Sequence, residues 1–266
     1  KTVDSKVAKA HLAYTNWKET TYHQRADLLY KVAKLMRSKK SELAKTITLE
    51  MGKLLAQAEG EIDLSADILD YYADNGEAFL ADKVLDPEFG TAIIRNSPIG
   101  VLLGVMPWNF PFYQVARFAA PNIMVGNTIL LKHASNVPQC GAAIEELFEE
   151  AKAPEGLYTN LFISGKHASA LVSDKRIKGV SLTGSEKAGA SVAMEAGKHL
   201  KKVVLELGGN DVFIILEDAE MEKTVEWAVV GRMNNNGQSC IASKRFIAVE
   251  AIADEFIQKF KDALSK

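Results

Sequence analysis

From Arg25 onward, apolar side chains return at Leu28, Leu29, Val32, Leu35 and Met36, the spacing that gathers them on one face of a helix. Residues 63–80 continue in the same style, so the first eighty residues read as helical. The rhythm breaks over residues 82–98. There Val84, Leu85, Ala92, Ile93 and Ile94 flank the turn formers Asp86, Pro87 and Gly90, which predicts a hairpin of two extended arms able to reach a partner subunit. Beyond Pro98, short apolar runs alternate with amphipathic stretches. Strands are expected at 99–105, 128–131, 161–163, 179–182 and 202–207, and helices at 112–124, 138–151, 167–173 and 186–200. Apolar strands separated by helices imply a parallel sheet covered on both faces. Ligands of such a sheet bind at the carboxyl ends of its strands. A second alternation follows, with strands at 212–216 and 246–249 and helices at 221–233 and 252–264.

Composition narrows the function without choosing it. The 266 residues are 47% hydrophobic and 25% charged, and 32 basic against 34 acidic side chains leave a net charge of −2. That balance gives no reason to expect nucleic acid or an anionic membrane as partner. No apolar run approaches the roughly 18 residues of a spanning helix. The opening KTVDSKVAKAH has no apolar signal core, so a cytoplasmic location is expected. Cys140 and Cys240 lack CxxC spacing, and the five histidines form no HxxxH or HExxH pattern, so no metal site is expected.

Polar clusters at the expected strand ends carry the chemistry. Asn109 stands in Pro107-Trp108-Asn109-Phe110-Pro111, where a fixed amide can donate to a developing oxyanion, a role worth about 3 kcal/mol; capping the next helix is the plainer alternative. Lys132 follows an apolar strand and could bond ribose hydroxyls or a phosphate, or simply be solvated. Ser181-Leu182-Thr183-Gly184-Ser185 runs from strand to helix, where free amides suit a pyrophosphate; it lacks GxGxxG spacing and also fits an ordinary turn capped by Ser185. Glu206 leaves a strand beside Gly208 and Gly209. Cys240 sits in a polar, glycine-containing segment, where a thiol is better placed to ionise than among apolar neighbours, as Cys140 is. Together these groups describe one reaction. A thiolate attacks an aldehyde carbon, the oxyanion is held by Asn109 and the Cys240 N–H, hydride leaves, and Glu206 activates the water that hydrolyses the thioester.

The segments PWNFP at 107–111, LKHASNVP at 131–138, SLTGS at 181–185, LELGG at 205–209 and NNGQSCIASKR at 235–245 resemble the aldehyde dehydrogenase superfamily, in its order and at its separations. The resemblance covers essentially the whole chain. It implies a Rossmann-like parallel-sheet cofactor domain plus the start of a second α/β catalytic domain. Residues 1–81 and 99–207 would form the dinucleotide-binding domain, 82–98 an oligomerisation hairpin and 208–266 the truncated beginning of the catalytic domain. It assigns Cys240 as nucleophile, Glu206 as base and Asn109 as oxyanion donor. Trp108, Lys132, Thr183, Gly184, Ser185 and Leu207 would line the dinucleotide site, and Gly165 matches a glycine near the adenine.

Within the family, KHASNVPQC and LTGSEKAGASVA resemble a branch that oxidises succinic semialdehyde. Arg117 matches the arginine that holds the substrate carboxylate there, a bidentate pairing natural to a guanidinium. At Ser135, NAD-preferring relatives often carry a glutamate whose charge would repel a 2′-phosphate, so the expected cofactor is NADP, with NAD as the alternative. Family members continue well beyond the nucleophile, and the hairpin at 82–98 suggests a homodimer or homotetramer for the full-length protein. The chain is therefore expected to be a fragment, exposing apolar surface in its unfinished second domain, and its activity in isolation stays open. An inactive dinucleotide-binding module, a coenzyme A-acylating dehydrogenase and a dehydrogenase of another small aldehyde are the competing readings.

Overall fold

The chain opens with four helices, α1 (Val3–Trp17), α2 (Tyr22–Ser38), α3 (Lys40–Met51) and α4 (Leu55–Leu80). Two of them start where threonine can satisfy a free amide. The Thr2 side chain accepts from Ser5 N–H, and Thr21 forms a reciprocal capping box with Gln24. Their apolar faces bury Leu29, Val32, Ile47, Ile62 and Leu69 completely. The computed structural model describes residues 2–265, and the chain divides between Glu206 and Leu207 into two units. Among the described residues, no helix is long and apolar enough to cross a membrane.

After α4, β1 (Lys83–Leu85) and β2 (Ala92–Ile94) pair antiparallel, Lys83 opposite Ile94. This hairpin is exposed along its length, and Phe89 near its turn is 85% exposed.

The main sheet contains β3 (Val101–Met106), β4 (Thr128–His133), β5 (Tyr158–Asn160), β6 (Ile177–Thr183) and β7 (Lys202–Glu206), in the order β5-β4-β3-β6-β7, all parallel. Helices α5 (Tyr113–Val125), α6 (Pro138–Glu150), α7 (Gly165–Leu171) and α8 (Glu186–Lys198) connect the strands. The chain moves outward from β3 through β4 to β5, then returns to the other side of β3 for β6 and β7. The direction of winding therefore reverses between β3 and β6, which opens a crevice at their carboxyl ends.

The strand expected at 161–163 is three residues earlier. Tyr158 to Asn160 pair with Ile129 to Leu131 of β4, and Leu161 contributes only its N–H, bonded to Leu131 O at 2.6 Å. Thr159 and Asn160 are polar but fully covered, so the paired segment lacks the apolar signature that Leu161, Phe162 and Ile163 display.

The second unit is a small parallel βαβ motif. β8 (Val212–Ile215) pairs with β9 (Arg245–Ala248), with α9 (Met221–Met233) between them in sequence and α10 (Glu250–Leu264) after. Its core is Ile215, Val225, Ala228 and Phe256, and Phe246 meets the rings of Phe213, Phe256 and Phe260. Several large apolar side chains of this unit are exposed, among them Trp227 at 61%, Ile214, Ile247 and Ile257.

Candidate active site

Register sets the starting positions of the site. Val105 of β3 lies opposite Lys132 of β4 and Leu182 of β6, and Thr183 of β6 lies opposite Glu206 of β7. Lys132, Thr183 and Glu206 thus leave the sheet at one edge, its carboxyl edge.

The loop after β3 carries Trp108 and Asn109, both half-buried. Asn109 is not the cap of the helix that follows. The N-cap of α5 is Phe112 and has no side-chain cap. The amides there are taken by Glu61 of α4, whose Oε1 accepts from Phe112 N–H at 2.8 Å and Tyr113 N–H at 3.1 Å. His133 holds the same loop from β4, with Nε2 2.9 Å from Pro111 O.

Arg117, Thr183 and Glu206 meet at one cavity of about 450 Å³, lined also by Tyr72, Gln114 and Phe118. Arg117 Nη2 is 3.4 Å from Glu206 Oε2, and its guanidinium lies 5.7 Å from the Tyr113 ring centre. Arg117 is about one-third exposed, Glu206 about half. The buried Oε1 of Gln114 has no hydrogen-bond partner among the described residues and belongs to the same wall. Nothing in the sequence singled out Gln114, because a glutamine on an apolar helix gives no periodic signal.

A second cavity, of about 440 Å³, brings together Lys132, Ser135 and Gly165, along with Pro138, Phe162 and Ser164. Burial pushes the Lys132 ammonium below its ordinary value, so a phosphate there would restore charge balance. The size and the lone cation suit the ribose-phosphate end of a dinucleotide.

The turn after β6 is less open than its sequence suggested. Gly184 N–H bonds Glu206 O at 2.9 Å, and Ser185 caps α8 by accepting from Ala188 N–H at 3.3 Å. The Gly184 amide is therefore committed to β7 rather than free for a phosphate, and Ser185 performs the capping role that was its alternative.

Leu207 and Cys240 belong to the second unit. The Cys240 segment is built from unusual backbone. Asn235, Asn236 and Gly237 have φ of 55°, 56° and 73°, left-handed values that asparagine and glycine tolerate best. Lys244, which the sequence reading passed over, then gathers the carbonyls of Ser239 at 3.3 Å, Cys240 at 2.6 Å and Ala242 at 3.1 Å. Space is tight: a side chain on Gly209 would stand 3.0 Å from Cys240 O. Cys240 itself is half-buried, whereas Cys140 is fully buried with its thiol pushed far up by desolvation and by Glu50. Of the two cysteines, Cys240 is the less buried.

The first unit is an α/β fold with an amide and a carboxylate at the carboxyl edge of its sheet, and the second carries a half-buried cysteine in a constrained turn. The aldehyde dehydrogenase family model matches residues 1–266, and the chain belongs to that family. It is 48% identical over 259 residues to succinate-semialdehyde dehydrogenase (NADP+) of Deinococcus radiodurans, covering 97% of this chain and 54% of that protein. It is 45% identical over 261 residues to succinate-semialdehyde dehydrogenase (NADP+) 1 of Mycobacterium tuberculosis, covering 97% and 57%. Among solved structures, it matches succinic semialdehyde dehydrogenase from Streptococcus pyogenes in complex with NADP+ with a TM-score of 0.96 and 44% identity, over 99% of this chain and 58% of that one. The chain thus spans a little over half the length of these relatives.

Proposed function

We propose that the protein oxidises succinic semialdehyde to the dicarboxylic acid with NADP, using Cys240 as nucleophile. The observation that carries this reading is the meeting of Arg117 and Glu206 at one cavity on the carboxyl edge of the sheet. A cation able to hold a carboxylate and a carboxylate able to deprotonate water are the two groups that an ω-carboxylated aldehyde requires. The family membership and the similar relatives named for NADP and succinic semialdehyde support the same conclusion.

The Cys240 thiolate adds to the aldehyde carbon and forms a C–S bond while the carbonyl π bond becomes an oxyanion. Asn109 donates to that oxyanion, assisted by the Cys240 N–H. When bound, NADP supplies the hydride acceptor that turns the adduct into a thioester. Glu206 takes a proton from water, the hydroxide adds to the thioester carbon, and the C–S bond breaks to return the thiolate. Arg117 anchors the distal carboxylate throughout. Since Arg117 pairs with Glu206 in the free protein, the arriving substrate carboxylate competes for it and releases Glu206 for its work as base. Lys132, Ser135 and Gly165 hold the adenosine end of the cofactor, with Trp108, Thr183, Gly184, Ser185 and Leu207 along the rest. NAD would use the same residues except the contact to the 2′-phosphate. Residues 1–81 and 99–207 serve as the dinucleotide-binding domain, and residues 208–266 begin the catalytic domain.

The full-length protein tests this directly. NADPH formation from succinic semialdehyde should vanish in Cys240→Ala. Arg117→Met should lower kcat/KM for succinic semialdehyde at least tenfold, about 1.4 kcal/mol, and leave butanal within twofold. Unchanged turnover in Cys240→Ala would refute the nucleophile. Equal losses on both aldehydes would refute the anchor.

A further inference from the structure

Three charged residues, from the end of α3 to the second turn of α4, lie outside the reaction just described, yet they end on its two key loops. Lys53 and Glu61 form an ion pair in which the lysine is 1% and the glutamate 2% exposed at the side chain. Such a pair is an expensive way to fill a core, because desolvation offsets much of its attraction. Burial pushes the Glu61 carboxyl up and the Lys53 ammonium down, and the contact between them opposes both. The pair is also divided in labour. Glu61 Oε2 faces Lys53, while Oε1 accepts the Phe112 and Tyr113 amides at the start of α5. The Lys53 ammonium lies 3.9 Å from the centre of the Phe110 ring, a cation–π contact. Phe110, Phe112 and Tyr113 are therefore all held from one buried point, directly after Asn109.

Glu50, the residue before Met51 at the end of α3, repeats the device on the neighbouring helix. Its two oxygens accept from Gln139 N–H at 2.8 Å and Cys140 N–H at 2.9 Å, the first turn of α6. That turn follows the segment holding Lys132 and Ser135. Carboxylates at helix starts satisfy free amides and oppose the helix dipole. Here one short stretch of chain does so for the helices after β3 and β4 together.

We infer that residues 50–61 are a positioning clamp with two jaws: Glu61 with Lys53 sets the loop that presents Asn109, and Glu50 sets the segment that presents Lys132 and Ser135. The inference rests on the roles proposed for Asn109 and Lys132. None of the three residues lines either of the two cavities. Each acts through the loop it holds, and small misplacement of a reacting group is enough to slow chemistry by orders of magnitude.

The two jaws have separable readouts in the full-length protein. Lys53→Met should lower kcat for succinic semialdehyde at least tenfold while the NADP Kd stays within twofold. Placed in an Asn109→Ala background, the same substitution should cost less than a further twofold, because the donor it positions is already gone. Glu50→Gln should raise the NADP Kd at least fivefold and leave kcat within twofold. If Lys53→Met does not fold, Glu61→Gln, which keeps an acceptor for the two amides, carries the same measurement. Losses that multiply in the Lys53–Asn109 double variant, or equal effects of both jaws on kcat and NADP binding, would reduce the segment to general scaffolding. A fully active Asn109→Ala single variant would instead overturn the oxyanion role, without reference to Lys53.

Discussion

His133 illustrates how a single side chain couples the fold to pH. Its Nδ1 accepts the Ala134 N–H at 2.9 Å, so the proton resides on Nε2, which donates to Pro111 O. Burial holds its pKa below the ordinary 6.5, with Lys132 pushing the same way and Glu50 opposing. A neutral buried histidine contributes stability that is fully present above the unfolded value and is lost as pH falls toward the folded one, because the unfolded chain binds the extra proton first. Melting temperature should therefore decline as pH drops below about 6.5, and His133→Gln should flatten that decline. An unaltered slope in the variant would discount His133 as its source. At this scale the sequence revealed residues that interrupt an apolar pattern, such as Lys132, Glu206 and Cys240. It concealed Glu61, since a charged residue on a helix reads as a solvated face, and Lys53, which sits in the short link between α3 and α4. Glu59 and Glu61 look alike in sequence, yet Glu59 is half-exposed and Glu61 is enclosed. Only the packing of α4 against the loop after β3 separates them.

Among the elements, α5 is the one on which the site depends most. Glu61 occupies its amino end, and Arg25 of α2 its carboxyl end, donating to Met124 O at 3.1 Å and Val125 O at 2.8 Å. Opposite charges thus complement the dipole at both termini. The helix lies close on the sheet because Gly104 of β3 leaves room for it. A Cβ at Gly104 would stand 2.6 Å from Phe118 of α5 and 2.9 Å from Leu131. Gly104→Ala should lower stability in urea by about 1–3 kcal/mol, the usual cost of overpacking; an unchanged midpoint would mean that α5 shifts freely. The alternation of apolar strands and amphipathic helices was legible because β3, β4 and most of β6 are buried, whereas β7, expected to be covered on both faces, is largely exposed. β5 escaped because its polar Thr159 and Asn160 are buried by partners distant in sequence, which no local pattern records.

For the molecule as a whole, the hairpin of β1 and β2 is the feature with the least internal justification. Its strands pair only with each other, and Val84, Ile93 and Ile94 are exposed. Such a two-stranded ribbon is marginal alone. Its proposed use is pairing between subunits, and Val84→Asp with Ile94→Asp should shift the full-length protein to smaller species in light scattering; retention of the parental mass would rule the hairpin out as a contact. The chain divides after Glu206 into two units, each with its own strands and helices. Helix α5, locked at both tips, has one last implication. Asn109 stands three residues before its N-cap Phe112 and Arg117 rides on its second turn, so a rod held at both tips keeps the two grips a constant span apart. In the proposed reaction those grips take opposite ends of one linear molecule. The protein then measures its substrate as a calliper does, and an aldehyde acid with one more methylene must buckle to be read.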